Sequence, residues 1–178
     1  GYTFSGWFTD NGTFENEYTF DTMPLDGITL YAKWTPINYK ITFVENGGST
    51  VADITQGYET KITKPTDPTK TGYTFGGWFT DNNTFENEFV FDTMPLNGTT
   101  LYAKWIAKTY SVTLDKQGGE GGTSSFTATY GIKPSIEVPT RTGYTFNGYF
   151  TGTNGTGTQM FASTGNGSRN WNIDSNTT

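Results

Sequence analysis

Two sets of carboxylates recur along this chain, Asp10, Glu15, Glu17 and Asp21, and then Asp81, Glu86, Glu88 and Asp92. Paired carboxylates are the groups that perform general acid and base work in glycoside hydrolysis. Each set, however, lies in a polar, turn-rich stretch where solvated acids are the ordinary outcome, and a complete active site copied at a fixed interval does not suit catalysis. The residues therefore read as non-catalytic. The same stretches, "TDNGTFENE" and "TDNNTFENE", supply oxygen ligands for calcium. They lack the acid at every second position and the terminal bidentate Glu of a calcium loop, so solvated acidic loops are the expectation. "GGEGG" at residues 118–122 lacks the Lys and Ser/Thr of a phosphate loop and follows a strand instead of opening a helix.

With no Cys and no His, the thiolate and imidazole ligands of zinc and blue-copper sites are missing, and no metal or other cofactor is expected. An intramolecular Lys–Asn crosslink needs a buried lysine. Lys33 and Lys104 have the opposite parity to Leu30, Ala32, Trp34 and their later copies, which points them away from the aromatic face and argues against a crosslink there. Asn-x-Ser/Thr triplets begin at Asn11, Asn82, Asn97, Asn154, Asn166 and Asn176, as expected by chance in a chain this rich in Asn and Thr.

The balance of charge narrows the partners. A net charge of -6 opposes nucleic acid, whose recognition rests on basic patches that neutralise phosphates. No run of about 18 apolar residues is present, so no membrane insertion is expected within this segment, and no signal segment stands at the front. The chain does not begin with Met, which suits an internal piece of a longer polypeptide. Absence of Cys is compatible with an exported protein and weighs little by itself. Of the 178 residues, 33% are hydrophobic and 17% aromatic, so apolar content is concentrated in Phe, Tyr and Trp, which favours half-buried strands over helices.

An internal repeat decides the architecture. Shifting the chain by 71 positions lays Gly1 on Gly72, Trp7 on Trp78, Met23 on Met94 and Trp34 on Trp105. Between residues 1–34 and 72–105, 28 of 34 positions are identical. A third copy is more divergent: "YSVTLDKQGG" from Tyr110 matches "YKITFVENGG" from Tyr39, and "PTRTGYTFNGYF" from Pro139 matches "PTKTGYTFGGWF" from Pro68. The resulting frame is residues 1–34 as the C-terminal part of a truncated first repeat, 39–105 as one complete repeat, and 110–178 as a third repeat lacking its last strand. The four-residue connections "TPIN" and "IAKT" are too short for independent tumbling. The front half-unit holds a final "LYAKW" strand that the back one lacks, which suggests an intermolecular or head-to-tail completion.

Within the complete repeat, Tyr39, Ile41 and Phe43 alternate with polar residues and lead into an Asn-Gly turn, the pattern of a strand. A weaker extended stretch is expected between Val51 and Ile62. "KPTDPTKTG" is a proline-studded connection. "GYTFGGWFT" carries aromatics on both parities, so this strand is covered on both faces or bent at Gly76-Gly77. A loop follows, with a helical turn expected near "FDTMP" and ended by Pro95, and Leu101, Ala103 and Trp105 then form a closing strand. Trp78, Trp105, Phe75, Phe79, Phe85, Phe89 and Phe91 are the expected core of a unit with neither metal nor disulfide.

The succession "KPTDPTKTGYTFGGWFTD", "FDTMPLNGTTLYAKW" resembles the Listeria-Bacteroides repeat, the B-repeat of internalin-type bacterial surface proteins, in phase over nearly the whole chain. Tyr149 stands where the motif has Trp, and residues 151–178 depart from it. The resemblance implies a mainly β fold, a small α+β module of β-grasp type in tandem repeats of about 71 residues. It also implies an extracellular, bacterial cell-surface setting in which such units hold a distal adhesive domain away from its anchor. On this view the segment is a non-catalytic spacer or stalk whose partners are neighbouring repeats. The alternative is that the repeats themselves bind a host protein or glycan through exposed aromatics or a sheet edge. Tyr31 and Tyr102, opposite in parity to the core side of the closing strand, are the partner-binding candidates.

Overall fold

Alternating apolar residues bounded by Gly and Pro build a structure of short strands. The computed structural model describes residues 1–175, so the Asn176 triplet lies outside the described residues. In chain order the strands are β1 (Tyr2–Phe8), β2 (Tyr31–Pro36), β3 (Asn38–Val44), β4 (Ile54–Gly57), β5 (Tyr73–Phe79), β6 (Thr99–Ala107), β7 (Thr109–Thr113), β8 (Ser125–Thr129), β9 (Tyr149–Phe150) and β10 (Gln159–Phe161). A three-residue 3₁₀ turn at Thr153–Gly155 is the only helical segment among the described residues, so the fold is mainly β.

The chain forms two compact units. The first comprises Gly1–Asn46, Thr50–Asp67 and Gly77–Lys104; the second comprises Gly47–Ser49, Pro68–Gly76 and the residues from Trp105 on.

The complete repeat supplies a four-stranded sheet in the order β4-β3-β6-β5. Its centre is a parallel pair, with Ile41, Thr42, Phe43 and Val44 opposite Thr99, Thr100, Leu101 and Tyr102. β4 pairs antiparallel with β3 within the expected Val51–Ile62 stretch. The turn after β3 places Asn46 at φ 49° and Gly47 at φ 83°, two successive left-handed residues of the kind an Asn-Gly hairpin turn requires. Adjacent residues Trp78 and Phe79 are both buried, so β5 is covered on both faces, and it also bends at Gly77 (φ 112°). Ile41, Phe43, Ile62, Met94, Leu101 and Ala103 are buried as well. The Phe43 and Trp78 rings meet edge-on at 4.7 Å. Of the aromatics expected in the core, Phe75, Phe85, Phe89, Phe91 and Trp105 are half-buried.

The helical turn expected near "FDTMP" is absent. Thr93 instead bridges Lys61, the Met94 N–H donates to Thr60 O (2.9 Å) and the Ile62 N–H donates to Asp92 O (2.8 Å). Burying Met94 against an extended neighbour outweighs the local turn tendency, and Pro95 could not have continued a helix.

In residues 1–36, β1 and β2 form an antiparallel pair with a register shift between Phe4 and Trp7, and Phe8 also bridges Glu17. In the second unit, β7 pairs with β8 and β9 with β10 over a core of Val112, Leu114, Ala128, Ile136, Met160, Phe161 and Trp171.

Candidate functional site

The repeated acidic loops use their first carboxylate to fold the loop. Asp81 accepts hydrogen bonds from the N–H groups of Thr84 (3.1 Å), Phe85, Glu86 (3.1 Å) and Asn87 (3.0 Å), and from Thr84 Oγ1 (2.8 Å). Asp10 accepts from Thr13 Oγ1, Glu15 N (3.0 Å) and Asn16 N (2.9 Å). These donors lower both carboxyls to about 2, led by the Asn87 N–H for Asp81 and by the Thr13 hydroxyl for Asp10. The N–H groups aim positive charge at the same oxygens that a cation would need, so the arrangement favours a closed loop over a calcium site. Among the described residues, no group of three or more acidic, Cys or His side chains is gathered as a metal site would be.

Closing the loop holds Phe14 and Phe85 in the left-handed region, both at φ 52°, and sets each edge-on to Phe8 and Phe79 at 5.6 Å. Lys33 and Lys104 complete the arrangement, with Nζ 4.9 Å from the centres of Phe8 and Phe79. Parity points these lysines away from one aromatic face, but the bend in β1 and β5 gives the opposite face aromatic rings of its own. Both lysines therefore sit on aromatic rings. Tyr31 and Tyr102 are half-buried, standing opposite Phe8 in β2 and opposite Val44 in β6.

The feature that recurs most closely is the joint between one repeat and the next. In the first unit, Ile37 N–H donates to Gly1 O (2.8 Å) and Tyr58 N–H donates to Ile37 O (2.9 Å). In the second unit, Lys108 N–H donates to Gly72 O (2.9 Å) and Tyr130 N–H donates to Lys108 O (2.9 Å). These are the same positions one repeat later. Rings follow the backbone: Tyr2 lies edge-on to Tyr58 at 5.5 Å, and Tyr73 to Tyr130 at 5.6 Å. A Cβ on Gly1 would fall 2.1 Å from the Tyr58 ring, and one on Gly72 would fall 2.3 Å from the Tyr130 ring. Only glycine admits the tyrosine so close.

The linker residues are themselves strand, since β2 ends at Pro36 and β3 begins at Asn38, while β6 ends at Ala107 and β7 begins at Thr109. Side chains differ between the joints. The Tyr2 hydroxyl donates to Glu59 (2.6 Å), whereas the Tyr110 hydroxyl and Lys108 Nζ (3.3 Å) both reach Asp174. Burial and that carboxylate push the Tyr110 hydroxyl up to about 12. In the third copy, Gly143 has open space where a Cβ would stand, and Tyr144 is 68% exposed.

Reading the residues singly missed this joint, because Gly1, Tyr58, Gly72 and Tyr130 carry no reactive group. The available signal was positional: the Gly1-Tyr2 and Gly72-Tyr73 pairs are each followed, in the next repeat, by a tyrosine just after β4 or β8.

Comparison with known proteins gives this chain its relatives. The family model for the Listeria-Bacteroides repeat domain (List_Bact_rpt) matches residues 1–33, 39–104 and 110–178. A protein of Evansella cellulosilytica named "Putative Gly-rich membrane protein" is 36% identical over 155 residues, covering 84% of this chain and 18% of that protein. A second protein of the same organism, named "Putative membrane protein", is 34% identical over 167 residues, covering 90% of this chain and 25% of its own length. Internalin H of Listeria monocytogenes is 33% identical over 158 residues, covering 86% of this chain and 27% of its own length. The chain thus spans about a quarter or less of these relatives. No helix among the described residues is long and apolar enough to cross a membrane.

Proposed function

The chain belongs to the Listeria-Bacteroides repeat domain family, and from that premise we propose that it is a non-catalytic spacer. In this reading it is a stretch of stalk in a bacterial cell-surface or secreted protein, holding an adhesive domain at a set distance from its anchor. The observation that carries the reading is the joint. The same two backbone hydrogen bonds and the same glycine-on-tyrosine contact occur at Gly1–Ile37–Tyr58 and at Gly72–Lys108–Tyr130.

A flexible tether needs no such contacts, whereas a stalk gains length and stiffness by fixing each repeat on its predecessor. Taken with the 71-residue period, this supports modules at 1–34, 39–105 and 110–178. The parallel β3-β6 pair at the centre of a four-stranded sheet supports a β-grasp-like plan for the complete module. The names of the relatives, membrane proteins and an internalin, support the surface location.

Binding of a host protein or glycan by the repeats themselves is the weaker reading. The complete repeat buries Trp78, half-buries Tyr102, and covers Trp105 with Phe75 and with Lys70, whose Nζ lies 5.7 Å from the ring centre. Within residues 39–105 little aromatic surface is left for a partner.

Spin labels at Asn11 and Thr66, both in the first unit, test the stalk reading. A single narrow distance distribution, broadened by Tyr58→Ala, is the expected result. A broad distribution in the unaltered chain, insensitive to Tyr58→Ala, would mean a tether and overturn it.

A further inference from the structure

Tyrosine meets tyrosine at both joints, and the stalk reading uses only the packing of these rings. At the first joint the Tyr2 and Tyr58 rings stand edge-on at 5.5 Å, and the Tyr39 and Tyr58 rings at 6.2 Å. At the second, Tyr73 and Tyr130 stand edge-on at 5.6 Å, and Tyr110 holds the position of Tyr39 one repeat later. None of the six is fully buried. Packing alone would be served as well by phenylalanine, which makes the edge-on contacts of Phe79 with Phe85 and of Phe89 with Phe91.

What tyrosine adds is a phenol. Oxidation can join two phenols covalently, and this chain has no Cys from which a disulfide could be made. A carboxylate stands ready for the phenol proton at the first joint. The Tyr2 hydroxyl donates to Glu59 Oε2 (2.6 Å), within the reach that proton transfer to a base requires. Glu59 also pushes the Tyr58 hydroxyl above its ordinary range, first through its charge and then through a hydrogen bond. At the second joint the carboxylate is Asp174, which accepts from the Tyr110 hydroxyl.

We propose that Tyr2 with Tyr58, and Tyr73 with Tyr130, are sites of oxidative coupling, each pair being joined carbon to carbon by a haem peroxidase and hydrogen peroxide. The stalk reading enters only in the consequence, a joint fixed covalently; the coupling itself is a property of the ring pairs. Each phenol gives one electron to the peroxidase and releases one proton, at Tyr2 to Glu59. The two phenoxyl radicals carry spin on the carbons ortho to oxygen, and a bond forms between a Cε of one ring and a Cε of the other. Each of those carbons then sheds its hydrogen as a proton while each oxygen takes one up, which restores two phenols. The two electrons and two protons removed overall reduce one hydrogen peroxide to two waters. Edge-on contact leaves a small closing motion before the bond.

The test treats the dilute full chain with hydrogen peroxide and a plant haem peroxidase, read by dityrosine fluorescence, intact mass and tryptic mapping. The expected product is a monomer lacking two hydrogens per coupled pair, with Tyr2 linked to Tyr58 and Tyr73 linked to Tyr130. Tyr58→Phe should abolish the first link and keep the second, and Tyr130→Phe should do the reverse. Both substitutions keep the ring, and circular dichroism verifies the fold. Glu59→Gln should slow the first link about tenfold or more and leave the second unchanged; an unchanged rate would overturn proton transfer to Glu59. Coupling mainly between chains through Tyr144, which is 68% exposed, would overturn the proposal. So would equal dityrosine in the doubly substituted chain, the same links in urea, or no dityrosine where free tyrosine in the same tube couples. A narrow spin-label distance without coupling would overturn this proposal and keep the stalk; coupling with a broad distance would support it and overturn the stalk.

Discussion

Trp7 and Trp78 occupy the same position of one motif, yet Trp7 is 40% exposed and Trp78 only 1%. Met23 and Met94 diverge further, at 80% and 0%. Sequence identity around each residue is nearly complete, so the difference comes from what covers it. Phe43 of β3 packs on Trp78, and Glu59 and Thr60 bond the Met94 backbone, whereas among the described residues no such cover lies on Trp7 or Met23. Trp78→Ala should therefore cost about 3–5 kcal/mol in denaturant unfolding, the range for emptying a large core site, and Trp7→Ala should cost under about 1 kcal/mol. Equal losses would mean that the two half-units are covered alike. Asp81 permits a pH prediction at the same scale. Its carboxyl is lowered from 3.8 to about 2 by N–H groups that favour the charged form. The contribution is accordingly complete above pH 3.8 and is lost as pH falls towards 2. Asp81→Ala should lower the melting temperature at neutral pH and converge with the parent chain near pH 2. A gap that persists at that acidity would show that the side chain acts through something other than its charge.

Strands were legible wherever alternation was clean, and β3 and β6 fall where Ile41 and Leu101 imply. The segment 91–95 was not legible, because its conformation is fixed by Lys61 and Ile62, about thirty residues away, and not by its own turn residues. Lys33 and Lys104 misled for a related reason. A period of two assigns faces correctly only along an unbent strand, and Gly6 and Gly77, at φ 123° and 112°, turn β1 and β5 so that Phe8 and Phe79 reach the lysine side. The joint lay outside single-residue reasoning altogether, since its recognition is between a missing Cβ and a ring. Gly72→Ala tests it as an element. Gly72 sits at φ 78°, where any Cβ is strained, and its Cβ would overlap Tyr130. The strain alone should cost about 1–2 kcal/mol, and the overlap adds to it. Combining it with Tyr130→Ala should recover the overlap part, so the two changes should be non-additive. Strict additivity would mean that the ring does not press on Gly72.

At the scale of the whole chain, local stability should follow the number of strands that each edge can pair. β3 and β6 lie inside a four-stranded sheet and carry buried Ile41, Phe43, Leu101 and Ala103. β1 and β2 form a two-stranded ribbon with Tyr2, Phe4, Trp7 and Trp34 exposed, and an isolated ribbon of that kind is marginal in water. What ties the ribbon down is its joint, through Gly1, Ile37 and Tyr58. Native-state hydrogen exchange should therefore rank the amides of β3 and β6 slowest, approaching global unfolding, and those of the middle of β1 and β2 much faster. The Ile37 and Tyr58 amides should be protected more strongly than the ribbon they anchor, and Tyr58→Ala should speed exchange along β1 while leaving β6 unchanged. If Tyr58→Ala instead accelerated β1 and β6 together, the joint would belong to one cooperative core and would not be a separable contact. A separable joint would leave the glycine of one repeat and the tyrosine of the next as a local pair, as Gly1 with Tyr58 and Gly72 with Tyr130 are in this chain.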